Sequence, residues 1–233
     1  MTFSNDKKTF LSKLDKSKKG GIDIRAVPLL EVINSCSDLY STSSCSGRVY
    51  LWQGSGKKNE MEWVRMSHDP IESSFFRLSS EELKEGNEQF KKKINESRFL
   101  KSQSNKNEGT KKEGKPSNHK EGRGEKKERG EIERVVWMRF ESSIFHVCCE
   151  SIDRAKSLLK LAQMHYKKSS ILSINKKIMV EIRGGDVIEM PLYIEGQLVF
   201  SGDVKWLTSL VNKKMDLMWL KMEKCRVALL AQK

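Results

Sequence analysis

The sequence predicts an α+β fold in a single domain, and three observations predict it. Residues Lys177 to Arg183 alternate, with Ile178, Val180 and Ile182 on one face and Met179, Glu181 and Arg183 on the other. That period of two belongs to a half-buried strand. Two other stretches repeat at intervals of three and four: Ile152, Ala155, Leu158, Leu159 and Ala162, and then Val204, Leu207, Val211, Met215, Met218 and Met222. Those are the stripes of amphipathic helices. Finally, strand-like and helix-like segments mix without a strict βαβ repeat, which favours a mixed β-sheet with flanking helices over a doubly wound parallel sheet.

The elements can be justified in order. Phe10, Leu11 and Leu14 sit at helical spacing, and the run Asp15 to Gly21 ends that helix in a basic loop. A second helix is expected over Ala26 to Ser35, with Ala26, Val27, Leu29, Leu30 and Ile33 on its apolar face and Pro28 in its first turn. Ser41 to Gly47 is a run of small polar residues, read as a bend that enters a strand at Val49 to Trp52. Gly54 to Asn59 reads as a turn and Trp63 to Met66 as the returning strand. Ser79 and Glu82 have the spacing of a capping box for a helix reaching about Lys93. Two strands follow at Arg134 to Phe140 and Ile144 to Glu150, and Ser151 opens a helix. Gly184-Gly185-Asp186 turns the chain and Val187 to Tyr193 returns. Glu195-Gly196 turns it again, and Asp203 caps the long last helix.

Residues 97–130 depart from this pattern. They are almost all Lys, Glu, Gly, Asn, Ser and Arg. Ordering costs roughly 1–2 kcal/mol of backbone entropy per residue, and this segment has hardly any apolar surface to offset it. It is read as a disordered, low-complexity basic insertion within one domain spanning 1–233.

Composition bounds the function. The net charge of +13 over 233 residues points to an anionic partner, of which nucleic acid is the first candidate. No apolar run is long enough to span a bilayer, and no secretory signal follows the basic N-terminus, so no membrane partner is expected. The five cysteines, Cys36, Cys45, Cys148, Cys149 and Cys225, form no Cys-x-x-Cys pair. That leaves no support for a metal site and suggests free thiols in a reducing compartment, the cytoplasm. No glycine-rich loop of Rossmann type is present to announce a nucleotide-like cofactor.

The segment Ser41-Thr42-Ser43-Ser44-Cys45-Ser46-Gly47-Arg48 resembles the central motif of the wybutosine-synthesising protein 3 family. Supporting segments occur in the family's order: Asp15 to Asp23 at the N-terminus, Trp63 to His68, Phe145-His146-Val147 with Cys149, Glu181-Ile182-Arg183, and Asn212-Lys213-Lys214. The resemblance covers nearly the whole chain outside the insertion. His165 and Ser170 stand where family members often carry glycine.

The resemblance implies a transfer RNA methyltransferase that uses S-adenosylmethionine. Its substrate would be N4 of a tricyclic guanosine derivative beside the anticodon of phenylalanine tRNA. On that basis Asp15 or His68 is the candidate general base. Ser43, Ser44 and Ser46 offer hydroxyls to the base edge or the cofactor. Gly47 admits a close approach of backbone to ligand, and Arg48 can grip a carboxylate or phosphate. Cys45, His146 and Asn212 complete the expected binding set.

Each residue also has a plainer reading. Serines before a strand are ordinary turn chemistry, Cys45 is a small packed residue, and His146 is a hydrogen-bonded core histidine. Asp15 ends its helix, His68 braces a turn and Asn212 solvates its helix. Two other functions compete with the methyltransferase. One is a non-catalytic basic RNA-binding module; the other is a hydrolase or thiol enzyme built on Cys45 or the serines.

Overall fold

The computed structural model describes residues 2–12, 21–54, 61–84, 92 and 135–232. Asp15, the insertion at 97–130, the turn at 55–59 and, apart from residue 92, the expected helix beyond residue 84 lie outside the described residues. In chain order the elements are α1 (Phe3–Leu11), α2 (Val27–Ser35), β1 (Leu39–Cys45), β2 (Arg48–Gly54), β3 (Met61–Ser67), β4 (Val135–Glu141) and β5 (Ile144–Cys149). There follow α3 (Ile152–Gln163), β6 (Ser170–Ser173), β7 (Ile178–Arg183), β8 (Val187–Ile194), β9 (Gln197–Leu198) and α4 (Val204–Leu230).

The strands form two sheets, ordered β1-β5-β7-β6 and β3-β2-β4-β8-β9. All the pairings are antiparallel. Three neighbours in the first sheet, β1, β5 and β7, continue directly into three neighbours in the second, β2, β4 and β8. The two sheets are therefore halves of one bent ribbon, and three crossings make a seam: Ser46-Gly47, Ser142-Ser143 and Gly184 to Asp186.

Hydrogen bonds stitch the seam. Ser142 N–H donates to Asp186 O at 3.2 Å, and Gly184 N–H donates to Ser143 O at 3.2 Å. A Cβ on Gly184 would lie 1.8 Å from Ser142 Oγ, so only glycine lets these crossings touch. Helix α4 runs behind both sheets as a spine. Its 27 residues, at about 1.5 Å each, reach roughly 40 Å. Val204, Leu207, Val211, Met215 and Met218 pack into the core under the second sheet; Met222, Cys225 and Leu229 pack into the core under the first.

Two sequence expectations change here. The segment Val187 to Tyr193 does not return against Ile178 to Arg183; β7 pairs with β5 and β6, while β8 pairs with β4. Alternation dictates which side chains face inward, not which strand lies alongside. Val180 and Ile182 belong to one core and Leu192 and Tyr193 to the other. Likewise the serine run is mostly strand: β1 covers Leu39–Cys45, and only Ser46-Gly47 bends. Its hydroxyls find partners other than the local backbone, so they do not compete with the ladder. Ser41 meets Asn34, and Thr42 Oγ1 donates to His146 O at 3.2 Å.

The helix signals hold. Ser151 Oγ accepts from Arg154 N–H, and Asp203 Oδ1 accepts from Lys205 N–H at 2.8 Å. Ser79 and Glu82 exchange both bonds of a capping box. In α3 the buried face is Ala155, Leu158, Leu161 and Ala162. Ile152, expected on that face, is 37% exposed.

Asp186 ties the seam to the spine. Its carboxylate accepts from Lys221 Nζ at 2.5 Å and from Lys214 Nζ at 3.5 Å. The Lys221 hydrogen bond, ahead of a smaller opposing desolvation, holds this carboxyl below its ordinary 3.8. A depressed folded-state value means stabilisation that is present above the unfolded value and lost as pH falls through the folded one. Asp186→Asn should therefore lower the urea midpoint at pH 7 and lower it by less at ~pH 3, below the ordinary carboxyl value, where part of that stabilisation is already lost. Equal losses at both pH values would contradict this role.

Candidate active site at the seam

The bend between β1 and β2 is built by contacts on all sides. Gly47 has φ +93, in the left-handed half of conformational space. A Cβ there would lie 2.1 Å from Met218 Sδ, so α4 presses directly on the bend. Met218 Sδ also accepts from Ser143 N–H at 3.1 Å, which links the second crossing to the same side chain. Trp219 Nε1 donates to Ser46 O at 3.3 Å.

Asp23, just before the short 3-10 turn Ile24–Ala26, closes the bend from the front. It is 7% exposed. Its Oδ2 accepts from Ser46 N–H at 2.8 Å and Ser46 Oγ at 3.1 Å. His68 follows β3 and faces the same atom, with Nδ1 at 3.3 Å from Asp23 Oδ2. His68 Nδ1 also lies 2.8 Å from Gly47 O. A carbonyl oxygen can only accept, so Nδ1 carries the proton, and in the neutral ring Nε2 carries the lone pair. Cys45 Sγ lies 3.9 Å from the same nitrogen.

Asp23, Cys45 and His68 could in principle hold a metal ion, since one ligand atom from each lies within 4.8 Å of the others. In this arrangement His68 Nδ1 donates toward Gly47 and Asp23, so that nitrogen would ligate a metal only by giving up its hydrogen bond to Gly47 O. The same proton argues against a thiol enzyme. His68 Nδ1 cannot take a proton from Cys45, and burial pushes the Cys45 thiol up, away from thiolate.

A second cluster shares the outward face of the first sheet. β1 pairs with β5 in the register Ser43 to His146 and Cys45 to Ile144, while β5 pairs His146 with Glu181 of β7. Ser43 and Cys45, two residues apart, thus face the same way, about 6.6 Å apart along the strand. Ser43 Oγ and His146 Nδ1 are 2.6 Å apart, and His146 Nε2 lies 3.1 Å from Glu181 Oε2. Ser44 alternates to the face of Phe145, which is buried in the core.

Other expected site residues sit to one side. Arg48 grips a carboxylate of its own chain: Nε and Nη2 donate to Glu141 Oε2 at 3.1 and 3.0 Å. Its guanidinium lies 4.8 Å from the Trp63 ring and 5.0 Å from the Tyr50 ring. Asn212 uses both ends of its amide on Ile71, accepting from N–H and donating to C=O, each at 2.9 Å. It thereby clamps the segment that carries His68.

Sequence reasoning passed over three residues. Asp23 was visible only as the last residue of the N-terminal motif. Glu181 appeared as a polar position in an alternating strand and as part of the Glu181-Ile182-Arg183 segment, with no role attached. Arg25 gave no signal; its guanidinium stacks 3.6 Å above Trp219, and it pairs with Asp69 at 3.4 Å.

With this geometry in place, the comparisons decide the family. The model of the family described as Methyltransferase TYW3 matches residues 5–231. The chain belongs to that family. A Pyrococcus horikoshii relative, named a tRNA(Phe) 7-((3-amino-3-carboxypropyl)-4-demethylwyosine(37)-N(4))-methyltransferase, is 28% identical over 93% of this chain and 87% of its own length. The mouse tRNA wybutosine-synthesizing protein 3 homolog is 24% identical over 92% of this chain and 67% of its own. A rice tRNA wybutosine-synthesizing protein 2/3/4 is 30% identical over 87% of this chain, which spans only 17% of that longer protein. The solved structure of the PH1069 protein from Pyrococcus horikoshii shares the fold, with a TM-score of 0.67, 24% identity, and coverage of 98% of this chain and 96% of that one.

The TYW3 family is one of methyltransferases, which requires a methyl donor. Among the described residues, no helix is long and apolar enough to cross a membrane.

Proposed function

We propose that this TYW3-family chain transfers the methyl group of S-adenosylmethionine to N4 of a tricyclic demethylwyosine-type base beside the anticodon of tRNA(Phe). The observation that carries the reading is the meeting at one seam of Asp23, Ser46, Gly47 and His68 with the outward Ser43–Cys45 face of β1. Asp23 and His68 hold the bend still, while Ser43 is exposed. Holding the two reactants in a near-attack pose can remove roughly 7–11 kcal/mol of barrier, and such a pose needs a fixed wall.

The residues suit the donor. Arg25, 42% exposed at its side chain, is a cation beside the bend that can take the donor's carboxylate. The indole beneath it and the Asp23 carboxylate favour positive charge nearby. When bound, the donor supplies an electrophilic methyl on a cationic sulfur. The protein's part is to aim the ring nitrogen at that carbon and to exclude water. A net charge of +13 suits the tRNA backbone.

The test is methylation in vitro of tRNA(Phe) carrying the demethylated tricyclic base, read by nucleoside mass spectrometry. The expected product is heavier by one methyl group. Folded protein that binds the tRNA, yet neither binds S-adenosylmethionine in calorimetry nor yields that product, would establish a non-catalytic RNA-binding module instead.

A further inference from the structure

We propose that Ser43, His146 and Glu181 form a chain that carries away the proton released by the methylated nitrogen, with Glu181 as the positioning residue; this rests on the methyl-transfer reading above. Glu181 was assigned no role by its sequence. Its carboxylate lies 3.1 Å from His146 Nε2 and can only accept, so Nε2 carries the proton. In the neutral ring Nδ1 is then an acceptor, and the Ser43 hydroxyl at 2.6 Å donates to it. That leaves the lone pairs of Ser43 Oγ facing outward on an exposed residue. The polarity of the whole chain follows from one carboxylate.

His68 also keeps a lone pair, on Nε2, but its ring is only 16% exposed and is held by its other nitrogen. His68 Nδ1–H is spent on Gly47 O and Asp23 Oδ2, within the wall of the site. The His146 chain instead ends in an exposed oxygen that can accept. It lies on the same face of β1 as Cys45, about two residues from the bend.

The step balances. The ring nitrogen's electron pair forms the N–C bond to the methyl carbon as the C–S bond breaks, and the donor departs as a neutral thioether. The nitrogen's proton passes to Ser43 Oγ while the Ser43 proton passes to His146 Nδ1. The resulting imidazolium faces the Glu181 carboxylate, which favours its charge. Water then returns the proton to bulk and resets the chain.

The experiment compares full-length wild type, Glu181→Gln, His146→Gln and His68→Gln. Glu181→Gln keeps an acceptor for Nε2–H but removes the charge that steadies the imidazolium. Its kcat should fall on the order of tenfold or more, and that of His146→Gln by about 10²-fold, the scale of a general base. KM for tRNA and the calorimetric Kd for S-adenosylmethionine should stay within twofold, a split that a merely structural residue would not produce. Long-range ¹⁵N NMR of wild type should place the His146 proton on Nε2.

Wild-type kcat in either Glu181→Gln or His146→Gln would overturn the chain. So would a proton found on Nδ1, or a loss of kcat confined to His68→Gln. A wild type that leaves the base unmethylated sinks the underlying reading. A wild type that methylates while Glu181→Gln is unaffected sinks this inference alone.

Discussion

Gly47→Ala should lower the melting temperature by roughly 5–15 °C and abolish methylation. Two costs add. The backbone φ of +93 is one that residues with a side chain rarely adopt, and holding one there costs about 1–3 kcal/mol. The added methyl would also meet Met218 Sδ at 2.1 Å and Glu141 O at 3.1 Å. Met218 is fully buried, and its sulfur accepts the Ser143 N–H, so it moves only by disturbing the neighbouring crossing. Forcing extra volume into such a core costs about 1–3 kcal/mol more. For a chain of this size each kcal/mol shifts the melting temperature by about 2–4 °C. Met218→Ala alone should also destabilise, since it empties a buried site and strands the Ser143 N–H, but Gly47→Ala should cost less in that background than in the parent, because the collision is gone while the backbone strain stays. Thermal denaturation of the single and double variants checks both parts. A Gly47→Ala protein that melts within ~2 °C of the parent would mean that the helix does not brace the bend.

The residues involved show why the sequence was readable in some places and silent in others. Val204 to Met222 carried the period of α4 openly, since one side of that helix stays buried along its whole length. Ser151, Asp203 and the Ser79/Glu82 pair announced helix starts because capping is a local transaction between residues two or three positions apart. The two-sheet arrangement was hidden. Gly184 looks like an ordinary turn residue until Ser142 is seen pressed against it, a contact across more than forty positions in sequence. Ser43 and His146 lie 103 positions apart and meet only through strand register. The motif named a stretch of chain, not the geometry of its side chains. It could not say that β1 is a strand whose alternate hydroxyls face opposite ways. Nor could it single out Asp23, whose carboxylate is seen to matter only once it lies within reach of the Ser46 amide.

That carboxylate supports the second large effect. Asp23→Ala should reduce methylation by about 10²-fold or more while leaving most of the protein folded. Its Oδ2 satisfies the N–H and hydroxyl of Ser46, a residue only 1% exposed, and faces the protonated nitrogen of His68. Removing it strands a buried donor, a loss of about 1–3 kcal/mol, which a stable domain survives. The bend does not keep its place, because Ser46 N–H must seek water or another acceptor. A displacement of about 1 Å in a wall that aligns two reactants can cost on the order of 10² in rate. Asp23→Asn separates the two duties. An amide oxygen can still accept from Ser46, so the bend should hold, but the neutral group no longer favours positive charge beside the donor. Stability should then return nearly to the parent value and S-adenosylmethionine binding should remain weakened, with calorimetry and melting curves reading the two independently. If Asp23→Ala keeps full activity, the seam is scaffolding, and the chemistry lies elsewhere on the outward face of the sheet.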